Sequence, residues 1–350
     1  MNYKLILPVV ALLAVGATIF LYQTPYADSP SIKIGAAISL TGFASDYGDM
    51  AQKAMNLAVE EINAGGSKVE LIVDDDQTDP TAAVSAYRKL VDVDHVDAVI
   101  GSIFDFTTQP LLPLALKDKK ILVVPAQPTI EGSFEMNAQT FSMMPPFEKI
   151  IETLAPNIVG TPGILRYQSD FGKEIERVLT SIAQDKGLPL LSVQSYEKIG
   201  AGDFRTQILK LKQDKVDVLF LDMLTPDVVV FKKQAAELGY TPQVISYSLY
   251  DAIALDENKT RYENDLWLDW QDTVSIEFKA KFEDRYGVTP RRGAEASYRA
   301  VYVLVDALET ADPMKALAAK FTADHSASNA IVTVYKFADG AFTPLGAVVP

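Results

Sequence analysis

Residues 32–66 read IKIGAAISLTGFASDYGDMAQKAMNLAVEEINAGG, and this stretch decides the fold. Its first nine residues are a short β-rich run, suited to a strand buried on both faces. A polar turn with Gly42 follows. Ala51, Met55, Ala58 and Ile62 then recur at spacings of four, three and four, the apolar stripe of an amphipathic helix. Asn63, Ala64, Gly65 and Gly66 close that helix, because glycine enters the left-handed backbone region at little cost. Next come VELIV at 69–73 and DDDQTDP at 74–80. Asp79 and Pro80 predict a second helix start: the carboxylate caps free N–H groups, and proline takes the first helical position, where no donor is missed.

Outward from this unit the alternation continues. DAVIG at 97–101 and ILVV at 121–124 read as strands joined by helix-length stretches. Short continuous apolar strands separated by helices predict a parallel sheet covered on both faces. A second set follows: GILRY at 163–167, a helix over 171–186, LLSV at 190–193, a helix over 203–213, VDVLFLD at 216–222 and a helix over 228–238. MMPPFEKI at 143–150 and LWLDWQD at 266–272 are the natural crossover points. Two further helices, 276–286 and 294–310, precede IVTVYKFADGAFTPLGAVV at 331–349, two strands around a tight turn. The expected fold class is α/β with two lobes, each a mainly parallel sheet flanked by helices. Lobe 1 takes 30–146 plus 271–328, lobe 2 takes 147–270 plus 329–350, and three crossovers join them.

The 350 residues exceed what one core usually serves, about 250–300. With 48% hydrophobic and 22% charged residues, the chain can bury enough apolar surface to fold. A net charge of −14 argues against a nucleic acid partner. Zero cysteines exclude a disulfide framework, thiol catalysis and a cysteine-anchored lipid. Residues 5–22, LILPVVALLAVGATIFLY, carry no charge and follow Lys4. They read either as a secretory signal within 1–27, cleaved after Ala27, or as a retained membrane anchor, since about 17–25 apolar residues span a bilayer. Both readings send the rest of the chain across a membrane, to the periplasm or cell surface.

Catalytic constellations are missing. His95 and His325 are the two histidines, and neither has a nucleophile-elbow sequence to serve. No glycine-rich phosphate loop appears, and the run Asp74, Asp75, Asp76, Asp79 lacks the glycine and distal glutamate of a calcium loop. No cofactor, no metal and no enzymatic activity are expected. What remains is binding. In open α/β sheets, ligands collect beyond the carboxyl ends of strands. The loops at those ends carry Tyr47, then Asp105, Phe106, Thr107 and Thr108, then Ala126, Gln127 and Thr129. Aromatic and hydroxyl groups there suit a small ligand that needs an apolar wall and a few fixed polar contacts.

The strings IKIGAAISLTG, DYGDMAQKAMNLAVEEINAGG, DDDQTDPTAAV, VIGSIFDFTTQPLLPLA with ILVVPA, DFGKEI, GDFRTQILKLK and VDVLFL, in this order and spacing, resemble the periplasmic branched-chain amino acid binding family. The resemblance runs from Ile32 to the C-terminus. It implies a type I two-lobed binding protein, a monomer that closes on a small-molecule ligand and docks on an ABC permease in the membrane. A retained 5–22 segment favours instead a sensor that reports ligand to a partner. Carried over residue by residue, the family's ligand contacts put its first-loop tyrosine at Tyr47 and its alanine at Ala126. Its carboxylate-holding serine becomes Asp105, its threonine becomes Pro128 with Thr129 adjacent, and its second-lobe tyrosine becomes Phe171. A further tyrosine becomes Leu224, and the ammonium-pairing glutamate becomes Ser248. The amino acid signature is therefore largely replaced. The expected ligand is a neutral or cationic solute anchored by Asp105 with Asp222, and walled by Phe106, Phe171, Tyr250 and Trp270.

Overall fold

The structure, a computed structural model, describes residues 31–129, 134–269, 275–291, 293–323, 325–327 and 332–348. The segment 5–22 lies outside the described residues, and among the described residues no helix is long and apolar enough to cross a membrane.

Up to Ser142 the chain builds β1 (Ile32–Ile38), α1 (Ser45–Ala64), β2 (Val69–Asp75), α2 (Pro80–Arg88), β3 (Ala98–Ile100), α3 (Asp105–Thr108), α4 (Leu112–Asp118), β4 (Ile121–Val124) and β5 (Thr140–Ser142). The five strands are parallel, in the order β2-β1-β3-β4-β5. There follow α5 (Phe147–Glu152), β6 (Pro162–Tyr167), α6 (Asp170–Asp185), β7 (Ser192–Tyr196), α7 (Arg205–Gln213), β8 (Val218–Asp222), α8 (Thr225–Glu237), β9 (Gln243–Ser246), α9 (Leu249–Leu255) and β10 (Leu266–Asp269). After α10 (Ile276–Tyr286), α11 (Ala294–Leu308) and α12 (Pro313–Ala318), the chain ends in the antiparallel pair β11 (Val332–Ala338) and β12 (Ala341–Val348). The second sheet has seven strands, β12-β11-β10-β9-β8-β6-β7, with β6 to β10 parallel and β11 antiparallel to β10.

Period-two side-chain direction sorts each strand between two helix layers. In the first sheet Ile34, Ala36 and Ile38 pack with Ala51, Met55 and Ala58 of α1 and with Ala296, Ala300 and Leu304 of α11. Ala37, Val99, Leu122 and Val124 point the other way, onto Ala83, Ala86 and Tyr87 of α2. Thus α11, which follows β6 to β10 of the second sheet in sequence, covers the first. The second sheet repeats the scheme: Ile164, Val218 and Phe220 pack with α5 and α6, while Leu165, Leu219 and Leu221 pack with α7 and α8.

Local chemistry explains the boundaries. Asp79 accepts from the N–H groups of Thr81 and Ala82 at 2.8 and 2.9 Å, with Pro80 at the first helical position of α2. At the end of α1 the left-handed residue is Gly66, and the Asn63 amide ties the turn to β2 through both backbone groups of Val69, at 2.9 and 2.7 Å. His325 is a brace: its ring stacks on Phe141 at 4.6 Å, and its backbone oxygen accepts from the Ser142 N–H at 2.8 Å. His95 is exposed, at the turn before β3.

Candidate functional site

A cavity of about 360 Å³ lies between the carboxyl ends of the two sheets. From the first sheet it is lined by Phe43 in the loop after β1, by Ile103, Phe104, Asp105, Phe106 and Gln109 after β3, and by Ala126 and Gln127 after β4. From the second it is lined by Tyr167, Ser169, Asp170 and Phe171 around the end of β6, by Tyr196 and Ile199 at β7, by Asp222 and Leu224 at β8, and by Tyr247 after β9. In each sheet the strand order reverses here, between β1 and β3 and between β6 and β8. Such switch points leave a crevice where the flanking loops diverge, which is where open α/β sheets bind ligands.

The loop bearing Phe43 is held from below by the acidic run. Asp75 accepts from the N–H groups of Leu40, Thr41 and Gln77 at 2.9, 3.1 and 2.8 Å. Burial works against its charge, yet these bonds and the Thr41 hydroxyl keep its carboxyl below the usual range. Asp76 accepts from the Ser39 hydroxyl at 2.6 Å, and Asp74 pairs with Lys89 at 2.9 Å. Gln77 and Thr78 adopt positive φ of 53° and 56°, and the Thr78 hydroxyl donates to the Thr41 carbonyl at 2.8 Å. Gly42 fits against them because a Cβ there would stand 2.5 Å from the Gln77 oxygen. The acidic run is therefore loop architecture. Phe43, so fixed, stacks on Phe106 at 6.0 Å, with Phe104 5.6 Å from Phe106.

On the opposite side, Ser169-Asp170-Phe171-Gly172 opens α6 as Ser45-Asp46-Tyr47-Gly48 opens α1. Both glycines let a helix start against the strand before it: a Cβ on Gly48 would lie 1.9 Å from the Ser39 oxygen, and one on Gly172 2.4 Å from the Tyr167 oxygen. The Ser169 hydroxyl caps α6 by accepting from the Gly172 N–H at 3.0 Å, and Phe171 packs on Phe147 at 4.7 Å.

Asp222 is the buried polar centre, 3% exposed. It accepts from the Tyr247 hydroxyl at 2.7 Å and from the Tyr167 N–H at 3.1 Å, while the Tyr196 hydroxyl donates to its backbone oxygen at 3.1 Å. Burial, with the charge of Asp105 added, pushes its carboxyl up to about 6 against these bonds.

Of the residues expected from sequence, Asp105, Phe106, Ala126, Gln127, Phe171 and Asp222 come together in the lining. The others lie elsewhere, for identifiable reasons. Tyr47 sits behind the wall with its ring edge on Phe104 at 5.8 Å. Thr107 is fully buried and donates to the Phe104 carbonyl at 3.3 Å, bracing its own helix turn. Thr129 is buried outside the lining, with an unpartnered hydroxyl. Ser248 is buried with its N–H on the Ser246 hydroxyl at 3.2 Å, at the start of α9. Tyr250 is corrected most clearly: it is 52% exposed and packs on Trp267 at 4.9 Å and Phe342 at 5.5 Å, away from the cavity. Trp270 lies outside the described residues. Sequence reasoning missed Phe43, Tyr167, Tyr196 and Tyr247. The available signal was that the last three stand at or just beyond the carboxyl ends of β6, β7 and β9.

Two parallel-rich sheets that point their strand ends at one such cavity define the type I periplasmic-binding-protein fold. The chain belongs to the periplasmic binding protein family, whose model, described as "Periplasmic binding protein", matches residues 31–343. It is 26% identical over 330 residues to a Leu/Ile/Val-binding protein homolog 7 of Brucella abortus, covering 83% of this chain and 80% of that one. It is 26% identical over 314 residues to a leucine-, isoleucine-, valine-, threonine- and alanine-binding protein of Pseudomonas aeruginosa, covering 81% and 80%. A crystal structure of a leucine binding protein from Thermotoga maritima superimposes with a TM-score of 0.77 at 19% identity, over 91% of this chain and 99% of that one.

Proposed function

We propose that this protein captures a small solute outside the cytoplasmic membrane by closing two lobes around the cavity, and that it delivers the solute to an ABC importer as a monomer. The observation that carries this reading is the convergence of strand ends from both sheets on one space, so that a ligand there touches both halves of the molecule. The lobes are 30–146 with 271–328 and 147–270 with 329–350; the packing of α10 and α11 against α1 supports this division. The three connections between them form the hinge, which absorbs the backbone change on closure. The solute departs from an α-amino acid in the family's pose, because Asp105 stands where the resemblance calls for a carboxylate-holding serine. Residues 5–22 export the chain and are either removed or act as its tether.

Native mass spectrometry on the purified full chain tests capture. A single small molecule should copurify, and its removal should expand the protein in small-angle scattering. A ligand-free chain whose scattering responds to no solute contradicts the reading. Strong thermal stabilisation by leucine or valine that persists in Asp105→Ala contradicts the altered ligand.

A further inference from the structure

The cavity is walled by rings from both halves of the molecule. Aromatic residues make up 9% of the chain but seven of the seventeen described lining residues, so ring contact is a property of this space and not of the composition. On the first-sheet side, Phe43 lies nearly parallel to Phe106, with centroids 6.0 Å apart and planes at 20°, and Phe104 meets the two at 6.5 and 5.6 Å. On the second-sheet side stand Tyr167, Tyr196 and Tyr247, the first two with centroids 5.5 Å apart. Two of these tyrosines have their polar ends engaged inside the protein. The Tyr196 hydroxyl donates to the backbone oxygen of Asp222 at 3.1 Å and the Tyr247 hydroxyl to its carboxylate at 2.7 Å, so the part of each that lines the cavity is mainly its ring.

These rings are fixed before any ligand arrives. Phe104, Tyr196 and Tyr247 are buried, and Phe43 rides on the loop that Asp75 braces, so binding pays little to order them. Aromatic pairs favour offset-stacked or edge-to-face contact with centroids about 4.5–7 Å apart, and they gain attraction beyond the area they bury. The wall rings already sit at such spacings, and a flat ring placed between the two groups repeats the arrangement on both sides. A saturated body of the same skeleton gains the burial alone. A cavity of about 360 Å³ falls near the lower end of ligand sites, so it takes one ring with a short substituent.

We propose that the cavity selects a small solute with one planar aromatic ring, held between the Phe43, Phe104 and Phe106 cluster of one half and the Tyr167, Tyr196 and Tyr247 cluster of the other, with Phe43 as a specificity-determining wall. This rests on the reading of the chain as a solute-capturing protein, and names the chemical class that the same cavity takes.

The test is calorimetric titration of the purified full chain with three matched probe pairs: benzamide and cyclohexanecarboxamide, benzylamine and cyclohexylmethylamine, benzoate and cyclohexanecarboxylate. The members of a pair share their heavy-atom skeleton and charge and differ only in the ring, and the saturated member buries at least as much apolar surface, so burial alone gives the aromatic member no advantage. In the pair whose substituent suits the site, the aromatic member should bind at least about tenfold more tightly, and its ring protons should move upfield in NMR spectra on binding. Phe43→Leu, at a 60% exposed position where folding is not at stake, should cut that preference at least about threefold, and Phe43→Tyr should retain it. An aromatic solute released from the purified chain supports the proposal. Saturated members that bind as tightly, a preference indifferent to Phe43→Leu, or a copurifying solute without an aromatic ring overturns it and leaves capture standing. If no solute copurifies and none of the six probes binds at millimolar concentration, both fall.

Discussion

Tyr247 donates its hydroxyl proton to Asp222 at 2.7 Å, so that the second sheet presents a buried carboxylate, already partnered, to the cavity. The folded chain retains the Asp222 proton up to about pH 6, whereas an ordinary side chain releases it near 3.8. Between those values the native state binds more protons than the unfolded state, so stability falls as pH rises through the window and levels off above it. The full gap is worth roughly 3 kcal/mol. Urea unfolding from pH 4 to 7 should therefore show a shallower decline in Asp222→Asn than in the parent, by about 2–3 kcal/mol across the window. Equal slopes would contradict the assignment.

Gly48 and Gly172 are predicted to be irreplaceable on steric grounds. Gly48→Ala and Gly172→Ala each force a backbone shift where a strand's end meets the next helix, and each should cost about 3 kcal/mol or more. Gly66→Ala is the control: it carries φ +107° with nothing within 4 Å, so it should cost only about 1–2 kcal/mol. Thermal melts of the three variants give the comparison, and a Gly66 variant as unstable as the other two would undermine it.

Lys232 and Asp265 form an ion pair at 2.6 Å, both nearly inaccessible, with the Val244 N–H also on Asp265 at 2.8 Å. Removing one charge leaves the other buried alone. Lys232→Met should destabilise by about 3–5 kcal/mol, while Lys232→Met with Asp265→Asn should recover more than half of that loss. A double variant no better than the single would show that the lysine acts through packing, for instance on the Tyr262 ring at 5.4 Å.

Phe171 and Tyr250 separate wall from surface. Phe171→Ala should weaken binding of the copurifying solute by about tenfold, on the order of 1.4 kcal/mol, whereas Tyr250→Ala should leave it within about twofold. The affinity of the solute-stripped, refolded chain for that solute decides between them, and a large effect at Tyr250 would return that residue to the site.

Much of this molecule is legible in its sequence because the signals are local. The Ala51, Met55, Ala58 stripe and the buried runs such as ILVV depend only on neighbours in the chain, so helix, strand and parallel class follow from them. β5 and β9 were not legible: TFS and QVIS lack the unbroken apolar run that marks ILVV, and β5 is held partly by the distant backbone of His325. Asp105 and Asp222 could be singled out because the first follows a readable strand and the second ends one. Tyr247 was invisible for want of β9, and Tyr250, three residues further, took its place. A side chain's direction at a helix start depends on packing partners such as Trp267 and Phe342, which no local pattern reveals.

The Ser-Asp-aromatic-Gly quartet occurs twice, yet its two aromatic rings have parted company. Phe171 faces the cavity, whereas Tyr47 supports Phe104 from behind. One copy thus lines the cavity and the other acts as a buttress. Exchange of the ring at 171 would retune what the molecule accepts, while the same exchange at 47 would unsettle the wall that Asp105 and Phe106 depend on. The same four-residue device therefore serves as lining in one half of the molecule and as support in the other.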